Sequence, residues 1–235
     1  MTGACRWFAR AVLIDLDGTL LDTAPDLAAA INRALAELGR PALPTSEIAT
    51  FVGKGVDVLV QRALARSFEG AADVDLFASA KAAFARHYRE QNGRATQIFP
   101  GVESALKQFR DNGLKLACVT NKPREFTQQL LVRFGMVDQF DAAISGDDTV
   151  QKKPHPAPLL AACERLGVDP ADAVMVGDSE NDLHSARAAG CRIVLVEGGY
   201  NEGRPIAGLP ADAIVAALAD AADLITVAGE HPANR

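Results

Sequence analysis

Short apolar runs alternate with amphipathic helical segments from residue 98 onward, and this alternation limits the fold more than any other feature of the sequence. It is typical of βα units, which build a parallel sheet with helices on its faces. The predicted strands of this part are 114–120, 142–145, 173–176, 193–196 and 224–227. The predicted helices are 102–112, 123–134, 157–166, 182–189 and 211–219. The sequence therefore predicts an α/β fold with an open, Rossmann-like parallel sheet flanked by helices.

A further buried strand is predicted near the start of the chain, at Ala11-Val12-Leu13-Ile14, and it ends in Asp15-Leu16-Asp17-Gly18-Thr19. Because strand side chains alternate between faces, Asp15 and Asp17 point the same way. Gly18 permits a sharp turn directly after them. Two carboxylates so close together are unfavourable unless a cation or a shared proton relieves their repulsion. The structural alternative is an acidic turn, since Asp and Gly are common turn residues.

Residues 24–93, here called the helical insert, show helical periodicity and no alternation of period two. The first helix is predicted to begin near Pro25 and to end at Gly39. We expect the insert to form a separate all-helical domain of residues 21–95. The remaining segments, 1–20 and 96–235, are expected to form a discontinuous core domain.

The charge balance argues against large anionic partners. The chain carries 24 basic and 30 acidic residues, a formal net charge of −6, and its basic residues form no long run. We therefore expect neither nucleic acid nor a membrane surface as a partner, and instead a small anionic ligand held by local cations. The four cysteines, Cys5, Cys118, Cys163 and Cys191, are scattered, which predicts reduced thiols and a cytoplasmic location. A monomer or a homodimer is expected.

Polar clusters follow three of the predicted strands at their carboxyl ends. They are Asp15 with Asp17, Thr120-Asn121-Lys122, and residues 177–182. Ligands of open α/β sheets bind in the crevice outside these strand ends, so we expect the three clusters to converge on one pocket. Lys152 and Lys153 lie in a loop that offers cations to the same edge. Thr120-Asn121, standing before Pro123, also predicts a helix N-cap.

Four motifs in this order resemble the haloacid dehalogenase superfamily of aspartyl phosphotransferases. They are residues 15–19, Val119-Thr120-Asn121, Lys153-Pro154 and residues 177–182. The helical insert is similar to the helical cap of one large subgroup of that superfamily. Within this subgroup the sequence looks most like the bacterial phosphoglycolate phosphatases, through residues 51–56, 153–158 and 199–201.

The resemblance implies the roles of the site residues. Asp15 would be the nucleophile that forms an aspartyl-phosphate, and Asp17 would be the general acid and then the general base. Thr120, Asn121 and the backbone at Gly18 would bind the phosphate. Lys153 would neutralise the phosphate and the intermediate. The implied reaction is hydrolysis of a small phosphate ester, most closely the conversion of 2-phosphoglycolate to glycolate and phosphate.

The resemblance also implies a Mg²⁺ ion, a hard cation that prefers oxygen ligands. Its protein ligands would be the carboxylates of Asp15 and Asp178 and the backbone carbonyl of Asp17. Asp182 would lie just outside this set and hold either a metal-bound water or Lys153.

Lys54 is the candidate for substrate recognition in the helical insert, because two glycines flank this single cation. Such a loop approaches a ligand closely and presents backbone N–H groups together with one ammonium. We hypothesise that Lys54 or these amides bind the carboxylate of 2-phosphoglycolate. A flexible, exposed lysine is the alternative.

Other functions use the same motifs. A phosphatase for another small phosphometabolite or for pyrophosphate, or a sugar-phosphate mutase, would use the same nucleophile and the same acid/base. A dehalogenase or phosphonate hydrolase is disfavoured, because Asp17 supplies an acid/base that those reactions do not use. A noncatalytic binding protein would be expected to lack one of Asp15, Asp17, Lys153 and Asp178, and the sequence has all four.

Overall fold

The computed structural model describes residues 7–69 and 74–227. Its strands are β1 Trp7–Ala9, β2 Ala11–Ile14, β3 Leu21–Asp22, β4 Gln97–Ile98, β5 Lys115–Val119, β6 Ala142–Ile144, β7 Ala173–Gly177, β8 Arg192–Val196, β9 Ala213–Val215 and β10 Ile225–Val227. Its α-helices are α1 Ala24–Glu37, α2 Thr45–Thr50, α3 Val56–Ala65, α4 Val74–Gln91, α5 Val102–Asp111, α6 Arg124–Arg133, α7 Ala157–Leu166, α8 Glu180–Ala189 and α9 Leu218–Leu224.

Six of the strands form a central sheet in the order β6-β5-β2-β7-β8-β9, and every neighbouring pair is parallel. Apolar clusters cover both faces of this sheet. Val12 and Ile14 of β2 pack with α5, α6 and α9, whereas Ala11 and Leu13 pack with α7 and α8. Because both faces are covered, the interior strands are apolar apart from exposed Lys115 and Arg192, the first residues of β5 and β8. The predicted α/β fold with an open parallel sheet is confirmed.

The strand order brings the polar clusters to one edge. Strand β2 lies between β5 and β7, with Ile14 paired to Cys118 and to Val176. The backbone N–H of Asp15 continues this ladder by donating to the carbonyl of Val176 at 3.0 Å. The residues that follow β2, β5 and β7 are therefore neighbours at the carboxyl edge of the sheet.

Helices α1 to α4 fill the helical insert and form an apolar cluster of their own, with Phe84 and Tyr88 of α4 fully buried in it. The chain leaves the core through β3 and returns through β4, and these two short strands pair antiparallel. The sequence pattern did not predict this pair, because two-residue strands show no periodicity. The division into domains 21–95 and 1–20 with 96–235 stays a prediction.

The sequence prediction for the end of the chain was wrong in two places. Within the predicted helix 211–219, residues Ala213–Val215 form β9, and the helix begins only at Leu218. Ile214 and Val215 are β-branched and pair with Leu195 and Val196 at the edge of the sheet, which suits a strand. The predicted strand 224–227 does form as β10, but it pairs with β1 in a separate two-stranded sheet.

Among the described residues no helix combines the length and the apolar character that a membrane crossing requires.

Candidate active site

Lys153 lies at the centre of the carboxyl edge and is fully enclosed there, with 1% of its side chain exposed. Its Nζ lies 2.9 Å from Asp15 Oδ1 and 2.7 Å from Asp182 Oδ1, and it donates to the carbonyl of Val119 at 2.7 Å. Burial alone would lower the pKa of this ammonium, but Asp15 and Asp182 raise it above its ordinary value. Lys153 is therefore a permanent positive charge in contact with Asp15.

Three buried carboxylates surround this one ammonium. Asp15, Asp178 and Asp182 each offer an oxygen, and these three oxygens lie within 4.8 Å of one another. Burial raises the pKa of Asp15 well above its ordinary value. Lys153 lowers this pKa, whereas the charges of Asp182 and Asp178 raise it further. Burial and the charge of Asp182 likewise raise the pKa of Asp178 to about 7.

The charges of this cluster indicate which ion it can hold. With all three carboxylates ionised, one ammonium leaves an excess of two negative charges in a buried place, which is costly and agrees with the raised pKa of Asp15 and Asp178. A divalent cation that prefers oxygen ligands would balance this excess. The residues present therefore fit a hard divalent metal ion.

Local structure fixes the carboxylates of this cluster. Asp178 Oδ1 accepts from the Thr19 hydroxyl at 3.1 Å, and Asp178 Oδ2 accepts from the Tyr200 backbone N–H at 2.7 Å. Asp182 closes a capping box at the start of α8, where its Oδ2 accepts from the backbone and hydroxyl of Ser179. Both side chains are therefore held before any ligand arrives.

Gly18 is required where it stands. Its φ of +89° lies in the left-handed region, which favours glycine. A Cβ built at this position would lie 2.4 Å from Asp178 Oδ2, which is far inside van der Waals contact. The turn between Asp17 and Thr19 and the packing of Asp178 therefore both depend on the missing side chain.

Asp17 faces the helical insert and not the carboxylate cluster. Its Oδ1 accepts from the Thr23 hydroxyl at 2.6 Å and from Lys122 Nζ at 2.8 Å. Lys122 is itself buried, and its Nζ lies 5.0 Å from the centre of the Tyr88 ring of α4. The two aspartates of the first motif are thus held by different cations, Asp15 by Lys153 and Asp17 by Lys122.

Thr120 and Asn121 follow β5, and their expected role as a helix N-cap was wrong. Helix α6 begins at Arg124 with the extended residue Pro123 in the cap position and no side-chain cap. The first N–H of this helix is taken instead by Asp147, at 2.8 Å from the N–H of Arg124. Extended Pro123 separates Thr120 and Asn121 from the first helical turn, which leaves both residues at the sheet edge.

The Asn121 side chain connects three loops. Its Nδ2 donates to the carbonyls of Gly53 and Lys153 at 2.9 Å and 2.8 Å, and its Oδ1 accepts from the Lys153 N–H at 2.9 Å. Asn121, which the sequence predicted to bind phosphate, therefore also links the core directly to the helical insert.

A small, partly open pocket of about 30 Å³ lies between the carboxyl edge and the helical insert. Such a volume holds about two water molecules, which is less space than a substrate needs. The core contributes Asp15, Asp17, Thr120, Asn121 and Lys122 to its lining, and the insert contributes Leu27, Val52, Gly53, Gly55, Val56 and Leu59.

Lys54 does not line this pocket, although the two glycines beside it do. Its Nζ pairs with Glu202 Oε1 at 2.7 Å, and 37% of its side chain is exposed. The same Glu202 oxygen accepts from Arg62 of α3 at 2.7 Å. In this conformation Lys54 is thus part of a contact between the insert and the loop after β8.

The sequence pattern assigned no role to Lys122, Tyr200 or Thr23. Lys122 belongs to the polar cluster predicted at the end of β5, and this position is the sequence signal that could have identified it. The Tyr200 hydroxyl accepts from the backbone N–H groups of Thr23 and Ala24 at 2.8 Å and 2.9 Å. This contact joins the loop after β8 to the start of α1, a pairing that depends on the tertiary fold alone.

Comparison with known proteins gives consistent matches over nearly the whole chain. A phosphoglycolate phosphatase of Thiobacillus denitrificans is 48% identical over 219 residues, which cover 93% of this chain and 96% of the relative. A phosphoglycolate phosphatase of Nitrosospira multiformis is 48% identical over 216 residues, covering 92% and 95%. The crystal structure of a predicted phosphoglycolate phosphatase from Haemophilus somnus matches with a TM-score of 0.85 at 36% identity, covering 91% and 96%.

The family model of haloacid dehalogenase-like hydrolases matches residues 12–196. This range runs from β2 to β8 and contains Asp15, Lys153, Asp178 and Asp182, the residues of the buried cluster. The family resemblance drawn from the four sequence motifs is confirmed, and the chain belongs to the haloacid dehalogenase-like hydrolases.

Proposed function

We propose that this protein hydrolyses 2-phosphoglycolate to glycolate and phosphate. The observation that carries the proposal is the contact of Asp15 with Lys153 at 2.9 Å, beside the buried carboxylates of Asp178 and Asp182. A nucleophilic carboxylate next to a permanent cation suits phosphoryl transfer, where positioning and charge stabilisation provide most of the catalysis. The relatives named phosphoglycolate phosphatase support the choice of substrate.

The metal of this site is proposed to be Mg²⁺, held by the carboxylates of Asp15 and Asp178 and by the backbone carbonyl of Asp17. When bound, it supplies positive charge to the phosphate oxygens and offsets the carboxylate cluster. Asp182 is proposed to hold Lys153, a role that its contact of 2.7 Å supports.

In the first step, an oxygen of Asp15 attacks phosphorus while the bond from phosphorus to the glycolate oxygen breaks. Asp17 gives its proton to that leaving oxygen. Thr120, Asn121 and the backbone at Gly18 bind the nonbridging oxygens, and Lys153 balances their charge. The products of this step are glycolate and an aspartyl-phosphate on Asp15.

In the second step, water attacks the phosphorus of the aspartyl-phosphate and Asp17 takes its proton. The bond between Asp15 and phosphorus breaks, and phosphate leaves. The helical insert, as a cap domain of residues 21–95, keeps other water away while the intermediate exists. Lys54 stays a candidate for substrate binding, and it would have to leave Glu202 to do so.

The expected substrate is a small phosphorylated metabolite, and the expected assembly is a monomer or a homodimer. A cytoplasmic location is supported by Cys118, Cys163 and Cys191, all of which are buried and free.

Phosphate release in the presence of Mg²⁺ tests the function, with 2-phosphoglycolate, pyrophosphate and a set of sugar phosphates as substrates. We expect 2-phosphoglycolate to give the highest kcat/KM, and Asp15→Asn to lower it at least about 1,000-fold. The matched control is Asp111→Asn, an exposed aspartate on α5 far from the site. Preference for pyrophosphate or for a sugar phosphate would contradict the substrate, and activity retained in Asp15→Asn would contradict the mechanism.

A further inference from the structure

Lys122 has the only cationic side chain among the described residues that line the pocket. Its neighbours in the lining are two carboxylates, two polar side chains and the apolar wall of the helical insert. The Lys152 ammonium lies outside the lining but close to Gly55, 3.0 Å from the position of a Cβ built there. An anionic group that enters this pocket beyond the phosphate position therefore meets Lys122 as the cation of the lining, with Lys152 as a competitor at the Gly55 side.

The Lys122 ammonium is held rigidly and remains charged. Only 3% of its side chain is exposed, and its Nζ contacts Asp17 Oδ1 at 2.8 Å and faces the Tyr88 ring. Burial would lower the pKa of Lys122, but Asp17 raises it above its ordinary value. An ammonium carries three N–H donors, so Asp17 and the neighbouring Tyr88 hydroxyl leave at least one donor for a ligand.

The position of Lys122 relative to Asp17 fits one kind of substrate. In the mechanism above, Asp17 hydrogen-bonds to the oxygen that leaves phosphorus. The carboxyl carbon of 2-phosphoglycolate lies two bonds from that oxygen. An ammonium in contact with Asp17 therefore lies within reach of the substrate carboxylate.

We propose that Lys122 binds the carboxylate of the substrate and is the residue that selects phosphate esters with an acid group next to the ester carbon. This inference rests on the proposed function and names the specificity residue of the same site. Leu27, Val56 and Leu59 form part of the apolar lining of the same pocket, and the attraction between opposite charges is stronger beside such a lining than in water. Lys54, paired with Glu202 outside the pocket, is the competing residue.

A pair of substrates isolates the carboxylate. Ethyl phosphate shares the P–O–C–C chain of 2-phosphoglycolate but has a methyl group in place of the carboxylate, so the ratio of the two kcat/KM values measures carboxylate recognition. We expect Lys122→Met to lower this ratio about 100-fold, since the substrate carboxylate would be buried without a partner. Lys122→Arg, which keeps the charge, should retain most of the preference.

The same ratio separates recognition from positioning. If Lys122 only held Asp17 in place, Lys122→Met would slow both esters equally and leave the ratio unchanged, which would overturn the inference. A fall of the ratio in Lys54→Met and not in Lys122→Met would overturn it as well. The matched control is Lys107→Met, on the exposed side of α5, which should leave both rates unchanged.

Turnover of ethyl phosphate reports whether each variant is folded, and Lys122→Gln is a second neutral variant should Lys122→Met fail to fold. If the wild type prefers 2-phosphoglycolate and the neutral Lys122 variants keep this preference, the inference about Lys122 is wrong while the proposed substrate stands. A wild-type enzyme without any preference overturns the proposed substrate and the inference together.

Discussion

The Tyr200 hydroxyl shows how one polar atom joins two distant parts of this chain. It accepts from the N–H groups of Thr23 and Ala24 at 2.8 Å and 2.9 Å, and it donates to Asp22 Oδ1 at 2.8 Å. The backbone N–H of the same residue donates to Asp178 Oδ2. Tyr200 therefore connects a candidate metal ligand to the first turn of α1, where the helical insert begins.

Replacing this hydroxyl should weaken the fold. Tyr200→Phe keeps the ring and the contact with Asp178 but leaves the N–H of Thr23 without its acceptor and the N–H of Ala24 with only a long contact of 3.4 Å to Asp22 Oδ1. We expect the free energy of unfolding to fall by about 1–3 kcal/mol. Urea denaturation followed by circular dichroism measures this change.

Tyr88 provides a comparison, because its buried hydroxyl has no hydrogen bond of good geometry and interacts chiefly with the Lys122 ammonium beside it. Tyr88→Phe should therefore lower the free energy of unfolding less than Tyr200→Phe does. Equal losses in the two variants would show that the Tyr200 hydroxyl bonds contribute nothing specific.

The sequence best predicted the functional residues that are polar and stand directly at the end of an apolar strand. Asp15, Thr120 and Asp178 each stand directly after an apolar run, so their convergence followed from the topology of a parallel sheet. Lys122 and Tyr200 were missed as functional residues because their importance depends on what they contact. Lys122 lies 105 positions from its partner Asp17 in the chain. Tyr200 lies 178 positions from its partner Asp22, just before α1.

At the scale of elements, the fully buried carboxylate of Asp26 ties the two ends of the helical insert together. It lies in the first turn of α1 and accepts from Gln91, which ends α4. It also accepts from the backbone N–H groups of Gly93, Ala95 and Thr96 and from the Thr96 hydroxyl, at 2.6–2.9 Å. The segment that returns to the core through β4 is thus held to the segment that leaves it.

Asp26→Asn should destabilise the protein by about 2–4 kcal/mol, since the amide turns one acceptor of this network into a donor that faces other donors. Denaturation in urea at neutral pH measures the loss. The matched control is Asp57→Asn, in the first turn of α3, where the carboxylate is 55% exposed and pairs with Lys81. This exposed pair should contribute at most about 1 kcal/mol.

The difference in the free energy of unfolding between wild type and Asp26→Asn should depend on pH, because the pKa of Asp26 is shifted in the folded protein. Burial would raise the pKa of Asp26, but the hydrogen bonds from Thr96, Gln91 and Ala95 lower it below its ordinary value. A lowered pKa in the folded state stabilises the protein above the unfolded value of about 3.9, and this stabilisation is lost as the pH falls through the folded value. The difference between wild type and Asp26→Asn should therefore be constant from pH 7 to about pH 5 and shrink below pH 4. A constant difference down to pH 3 would contradict this assignment.

Elements were predicted well where their periodicity was long and poorly where they were short. The helices of the insert and the central strands follow from repeated apolar positions. Strand β9 has three residues, and its alanine-rich surroundings also fit a helix, so the pattern did not decide between the two. Its pairing with β8 is a tertiary contact, and such contacts override local preference.

At the scale of the whole molecule, contacts from both sides close the site. Asn121 binds Gly53 of the insert, Lys122 lies against Tyr88 of α4, and Glu202 pairs with Lys54 and Arg62. The pocket between these contacts is smaller than the proposed substrate, so we expect the insert and the core to move apart when that substrate binds. The buried carboxylate cluster lies wholly in the core, and the helical insert contributes none of its charges.

Binding of a divalent cation to that cluster should stabilise the whole protein, because it offsets the repulsion among Asp15, Asp178 and Asp182 in the folded state alone. A ligand at about 100 times its Kd adds about 2.7 kcal/mol to the free energy of unfolding. For a chain of this size the gain corresponds to a rise in Tm of about 5–10 °C. Thermal denaturation in EDTA and in a series of Mg²⁺ concentrations measures it.

Asp178→Asn tests whether the cluster is the place where the ion binds. This variant removes one negative charge, so its Tm in EDTA should equal or exceed that of the wild type, whereas its response to Mg²⁺ should largely disappear. Asp57→Asn, on the exposed side of the insert, should keep the full response. A full response in Asp178→Asn would place the ion elsewhere, and a wild-type protein without any response would show that Lys153 and protonation of Asp15 and Asp178 balance the buried charge.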